Sequence, residues 1–168
     1  VLQPGNGTGF VSDGKSNTLS DRFGVELSFA KKLQELYPNQ KLAIIKYARN
    51  GSSIDSSGTA YFGAWEPDFR GGKGINQYDY FLKTVNNAMA VQDINSDGIE
   101  DVLIPSGIIW MQGESDSDKT EQIANQYYEN LKRLMELMRA TFRNNDLPIV
   151  IGKISDSGDD VDGKVWGF

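Results

Sequence analysis

The chain has 168 residues, with 17 Lys and Arg against 23 Asp and Glu and a formal net charge of −6. With no cysteine and no histidine, it can build no disulfide framework, no thiolate or imidazole metal site, no Cys nucleophile and no imidazole base. The acidic balance argues against a nucleic-acid surface, and no run of about 18 apolar residues offers a membrane span.

This length predicts a single domain spanning 1–168, large enough for a real core. Residues 1–22 are aperiodic and rich in Gly, Ser, Asn and Asp, the composition of a loop. Leu27, Ala30, Leu33 and Leu36 recur at helical spacing and predict a helix over 23–37, stopped by Pro38 and Asn39. Residues 42–48 (LAIIKYA) form an apolar run short enough for a buried strand. A Gly- and Ser-rich loop follows over 49–75, carrying Tyr61, Phe62 and Trp65. Phe81, Val85, Ala88 and Met89 mark the inner face of a second helix over 76–91. Residues 93–101 form an acidic turn, and 107–111 (GIIWM) a second strand. Ile123, Tyr127, Leu131, Leu134, Met138 and Phe142 stripe the longest helix, over 119–143. Residues 148–154 (PIVIGKI) give a third strand, and 155–168 are acidic and Gly-rich.

This alternation predicts an α/β fold, a mainly parallel, flavodoxin-like sheet in a three-layer α/β/α arrangement. Ligands of such sheets lie beyond the carboxyl ends of the strands, here 49–53, 112–118 and 155–160. Three strands leave open edges, so the sheet is expected to be incomplete at both ends or covered by a partner.

The most informative string is WMQGESD at 110–116. Gly113 permits a sharp turn after the strand, so Gln112 can offer an uncharged amide donor to an oxyanion that develops only in the transition state. The plainer alternative is that Gln112 and Glu114 merely tie loops together. Glu114 and Asp116 as a glycosidase acid–base pair is a weak reading, because two acids on one loop are badly placed to flank a glycosidic bond at about 5–9 Å. Trp65 and its neighbours either stack on sugar rings or pin their loop.

A second signal lies in the acidic turn. Asp93, Asn95 and Asp97 place side-chain oxygens at positions one, three and five, with Gly98 at six, the Ile99 carbonyl at seven and Asp101 at nine, the start of a calcium loop. The twelfth position is Ile104 instead of Glu, and the alternative is an ordinary Asx-rich turn. Such an ion would be structural; no cofactor is expected for catalysis.

WMQGESD resembles the third sequence block of SGNH-type esterases, in the branch of sialate O-acetylesterases and the acetylxylan esterases of carbohydrate esterase family six. FGVELSFA at 23–30 is similar to that branch's F-G-P-E-L-S-F-A helix start, with Val25 for Pro. KYARNGSS at 46–53 is similar to its K-x-A-x-G-G-[ST]-S block, with Asn50 for the first Gly. DINSDG at 93–98 resembles an acidic insert of some bacterial members. The resemblance covers about residues 20–155, the central region of such a domain.

It implies a carbohydrate O-acetylesterase acting on acetylated sugars, from a secreted or periplasmic setting. By the resemblance, Gly51 supplies an oxyanion-hole N–H and Gln112 the amide donor, while Asn50, Glu114 and Trp65 are substrate-binding candidates. The family's serine sits in a G-Q-S-N-M turn and its Asp and His in a D-x-x-H segment. The chain has no counterpart for either, and GKSN at 14–17 lacks the buried strand that a nucleophile turn requires. Nucleophile and base are therefore expected outside this chain, before Val1 and after Phe168, leaving the isolated chain inactive. The alternative is a noncatalytic carbohydrate-binding or interaction domain derived from the fold.

Overall fold

The structure, a computed structural model, describes residues 24–59, 61–71 and 74–154. The predicted loop over 1–22, with its GKSN turn, and the segment 155–168 lie outside them. Two compact units divide the chain at 46/47.

In the first unit the predicted helix forms as α1, Val25–Leu36. Glu26 in its first turn accepts from the Gly24 N–H at 2.8 Å and from Lys46 Nζ at 2.5 Å. Burial alone would raise the Glu26 pKa, but these donors outweigh it and hold the carboxyl below its ordinary range. Ala30 is the helix's one buried residue, and Leu36 is exposed. The strand expected over 42–48 does not form: Leu42, Ile44 and Ile45 are exposed, and no ladder partner lies beside them among the described residues. Apolar sequence suits a strand, yet only a neighbouring strand makes one.

The second unit holds α2 (Gln77–Met89), β1 (Ile108–Trp110), α3 (Glu114–Ser117), α4 (Glu121–Thr141) and β2 (Ile149–Ile151). Asn76 caps α2 by accepting from the Asp79 N–H, and Thr120 caps α4 by accepting from the Ile123 N–H, each meeting one of the orphan donors of a helix start. β1 and β2 run parallel with Ile108 opposite Ile149 and Trp110 opposite Ile151. The connection between them passes through α3 and α4, as a parallel pair requires. The α/β class with a parallel sheet is therefore what the structure shows, with two strands among the described residues in place of the three expected.

The apolar stripe predicted for α4 faces the core. Leu134 and Met138 are buried with Met135 against Trp110 of β1, Ile54 and Trp65. Trp65 meets Trp110 edge to face, with centroids 4.9 Å apart and planes at 77°, the favoured geometry of aromatic pairs. Met89, placed on the inner face of α2 by its spacing, is exposed at the helix end.

The stretch read as loop over 49–75 is more ordered than its composition suggests. It contains a 3₁₀ turn, Ser56–Gly58, and single parallel bridges join Ser53 to Ala64 and Ala64 to Asn76. Gln77, fully buried, donates from its amide to the Phe62 carbonyl and accepts from the Tyr47 hydroxyl. Burial pushes the Tyr47 phenol above its ordinary range. Gly63 lies at φ +83°, where a Cβ would sit 1.8 Å from the Ile75 carbonyl oxygen, so two backbones touch where no side chain fits. Among the described residues, no helix is long and apolar enough to cross a membrane.

Candidate functional site

Two turns meet at one buried carboxylate. Asp116, in α3, is fully buried. Its Oδ1 accepts from the Ile54 N–H at 3.1 Å and the Asp55 N–H at 2.9 Å; its Oδ2 accepts from the Ile54 N–H at 2.9 Å and from Gln112 Nε2 at 2.6 Å. Burial raises the Asp116 pKa, and the hydrogen bonds from Asp55, Gln112 and Ile54 offset this only in part.

The second N–H of the Gln112 amide donates to the Ser52 carbonyl at 3.2 Å. Ser52 is buried; its hydroxyl donates to the Arg49 carbonyl at 2.8 Å and accepts from Trp65 Nε1 at 3.0 Å. Beneath Gln112, the Tyr127 hydroxyl donates to the Gln112 carbonyl at 2.5 Å, and burial lifts the Tyr127 phenol to about 12. Gly51, at φ +66°, turns the chain just before Ser52. A Cβ there would fall 2.6 Å from the Phe62 ring, on which the Arg49 guanidinium rests at 5.0 Å.

The donors of this site can be counted. Both Gln112 amide hydrogens are engaged, the bond to Ser52 being the longer and weaker. Among the described residues, the Gly51 N–H makes no hydrogen bond, while Gln112 Oε1 and the Trp110 indole N–H are buried without partners. The Gln112 amide thus reaches the residue that follows Gly51, with the weaker of its two hydrogen bonds.

A family model described as carbohydrate esterase, sialic acid-specific acetylesterase, matches residues 10–166. The chain belongs to this family. No curated protein and no solved structure matches it. Membership makes acetylated carbohydrate the general substrate and carboxylic ester hydrolysis the general chemistry.

Against this carbohydrate esterase background, the structure sorts the residues singled out in the sequence. Gly51 and Gln112 come together through Ser52. Asn50 is exposed beside them, and the left-handed backbone falls on Gly51, not on Asn50. Glu114 is exposed at the start of α3, accepting from the Gly113 N–H at 3.1 Å; Arg49, which charge alone would pair with it, stacks on Phe62 instead.

One expectation is corrected. Trp65 is 5% exposed, with its ring against Trp110 and Tyr47 and its indole N–H given to Ser52, so neither face can stack on a sugar. In the acidic turn the side-chain oxygens accept from main-chain donors of the turn itself. Asp93 accepts from the Asp97 and Gly98 N–H groups, Asn95 from Asp97, Asp97 from Ile99 and Asp101 from Ile94. Among the described residues, no three acidic side chains gather to hold a metal. Asp93, Asn95, Asp97 and Asp101 thus each accept from a main-chain N–H of the turn read as a calcium loop with the Ile99 carbonyl.

Ser52 and Tyr127 were not read as site residues from sequence, and Asp116 only as half of a weak acid–base pair. The available signal was an acceptor-only side chain four positions after Gln112, close to a turn rich in unpaired main-chain donors. Removing the Tyr127 hydroxyl alone should be mild. Tyr127→Phe is expected to cost about 1 kcal/mol, a fall of roughly 2–4 °C in melting midpoint, measurable by circular dichroism.

Proposed function

We propose that the turns at 49–53 and 112–116 form the acetyl-binding rim of a carbohydrate O-acetylesterase. The Gly51 N–H and the Gln112 amide hold the oxygen of the tetrahedral intermediate. Of the two Gln112 N–H groups, the one on Asp116 stays fixed and the one on the Ser52 carbonyl turns to the substrate. One observation supports this reading above the others: the Gln112 amide donates to the carbonyl of Ser52, the residue after Gly51. Each donor of this kind contributes about 10²–10³ in rate. The chain has no histidine, so a serine mechanism needs its base, and in this reading its nucleophile, from outside these residues. The same zero favours a second reading, a binding domain that holds acetylated sugar without cleaving it.

The rim can be tested without turnover. Methylphosphonate carries the methyl group and tetrahedral oxygens of the intermediate. In ¹H–¹⁵N NMR of the full chain, it should shift the Gly51 amide and the Gln112 side-chain NH₂ saturably. Gln112→Ala should abolish the response at Gly51. Shifts that avoid both groups would remove the oxyanion assignment. Hydrolysis of p-nitrophenyl acetate by the same chain is expected at the buffer rate, and turnover above it would place nucleophile and base within these residues.

A further inference from the structure

We propose that a polar cleft along α4 binds neutral sugar units and selects against acidic ones. Two cavities of about 270 and 260 Å³ share Asp55, Ser57 and Gln126 and so form one cleft. Each lies just below the roughly 300–1,000 Å³ of small-ligand sites, room for a monosaccharide unit apiece. Asp55 caps the 3₁₀ turn that holds Ser57; Gln126, Asn130 and Arg133 come from α4, with Glu66 beside them at the first cavity. Its floor is apolar, formed by Ile54 and Leu134.

The two carboxylates of this cleft are anchored by main-chain donors, and its cation lies in an exposed ion pair. Asp55 Oδ1 is held by the Ser57 N–H at 2.7 Å and Glu66 Oε2 by the Ser56 N–H at 3.2 Å. The Arg133 guanidinium is engaged by Asp68 at 3.1 Å. A ligand therefore meets two anchored carboxylates and a cation already paired. Hydroxyl groups can donate to those carboxylates and exchange hydrogen bonds with the Gln126 amide and with the Asn130 amide, whose NH₂ also reaches Asp55 Oδ2 at 3.5 Å. A sugar carboxylate would face like charge at close range.

The cleft is also tied to the proposed rim. Asp116 binds the main chain at Ile54 and Asp55, which line the cleft, and the Gln112 amide at the rim. The proposal deepens the esterase reading by naming its sugar class, and rests on that reading only in taking the bound sugar for part of the substrate.

The test uses the full chain, with xylotetraose as the neutral probe and N-acetylneuraminic acid as the acidic one, followed by NMR. Xylotetraose should shift the Gln126 and Asn130 side-chain amides saturably, and N-acetylneuraminic acid should bind at least about tenfold more weakly. Gln126→Ala and Asn130→Ala, at solvent-accessible α4 positions, should each weaken xylotetraose about tenfold with melting midpoints unchanged. Glu66→Gln should narrow the gap between the two probes. Equal or tighter binding of the acidic sugar, indifference to both amide variants in folded protein, or no saturable binding would each overturn the proposal. The methylphosphonate response at Gly51 separates the two readings: sugar binding retained without it sinks the esterase rim alone, and the converse sinks the cleft alone.

Discussion

Asp116→Ala is expected to destabilise the chain by about 3–5 kcal/mol, the cost of removing one member of a buried charged network. At this chain length that lowers the melting midpoint by roughly 6–20 °C. The reason is the number of groups left unpaired. The Ile54 and Asp55 N–H groups and one Gln112 amide hydrogen all point at a carboxylate inaccessible to water. Alanine leaves them with neither partner nor solvent. Asp116→Asn keeps the shape but turns an NH₂ toward one of these donors, so it should lose a substantial part of the same stability. Both variants should also weaken the methylphosphonate response, because the Gln112 amide loses its fixed end.

The pH dependence has a definite sign. Burial raises the Asp116 pKa in the folded chain above its unfolded value. Between those two values the folded state binds the extra proton, so this residue's contribution to stability falls as pH rises through the window. It is fully present below the unfolded aspartate value, about 3.9, and lost above the folded one. Denaturant midpoints measured from acid to neutral pH should show this falling component in the native chain and not in Asp116→Asn. An identical pH profile for both would show that Asp116 titrates alike folded and unfolded.

Gly63→Ala is the second change of large expected effect, at about 4 kcal/mol or more. An alanine at φ +83° is strained by roughly 1–2 kcal/mol from chirality alone. The larger penalty is steric. The new Cβ would overlap the Ile75 carbonyl oxygen at 1.8 Å and the Ile75 nitrogen at 2.5 Å, and backbone cannot swing aside as a side chain can. Relief requires parting the segments bridged at Ala64 and Asn76. Gly71→Ala is the matched control: its Cβ would meet the Phe69 ring at an ordinary 3.6 Å, and its midpoint should stay within about 0.5 kcal/mol of the native chain. Equal melting of the two variants would refute the close approach.

Periodicity located the helices well because helical burial is local. Leu134 and Met138 recur on α4 whatever surrounds them, and Asn76 and Thr120 mark helix starts by chemistry confined to one turn. It failed at 42–48, where a strand depends on a neighbour that no local pattern can reveal. It also failed over 49–75, where Gly, Ser and Asn read as loose chain yet build the bridges at Ser53, Ala64 and Asn76. At the site, WMQGESD pointed to Gln112, and the Gly51 turn was legible in its own block. Asp116 was not, since its partners are main-chain N–H groups some sixty positions earlier, which carry no mark in the sequence. Trp65 misled for the opposite reason: a Gly-rich surrounding suggested exposure, while the ring anchors that segment to β1.

The Trp65–Trp110 contact has an optical consequence. Two indoles at 4.9 Å and nearly perpendicular couple their electronic transitions, so near-ultraviolet dichroism registers the docking of the 52–65 segment onto β1 without any attached dye. Since Trp65 also donates to Ser52, the same signal follows the bed on which Gly51 and Gln112 rest.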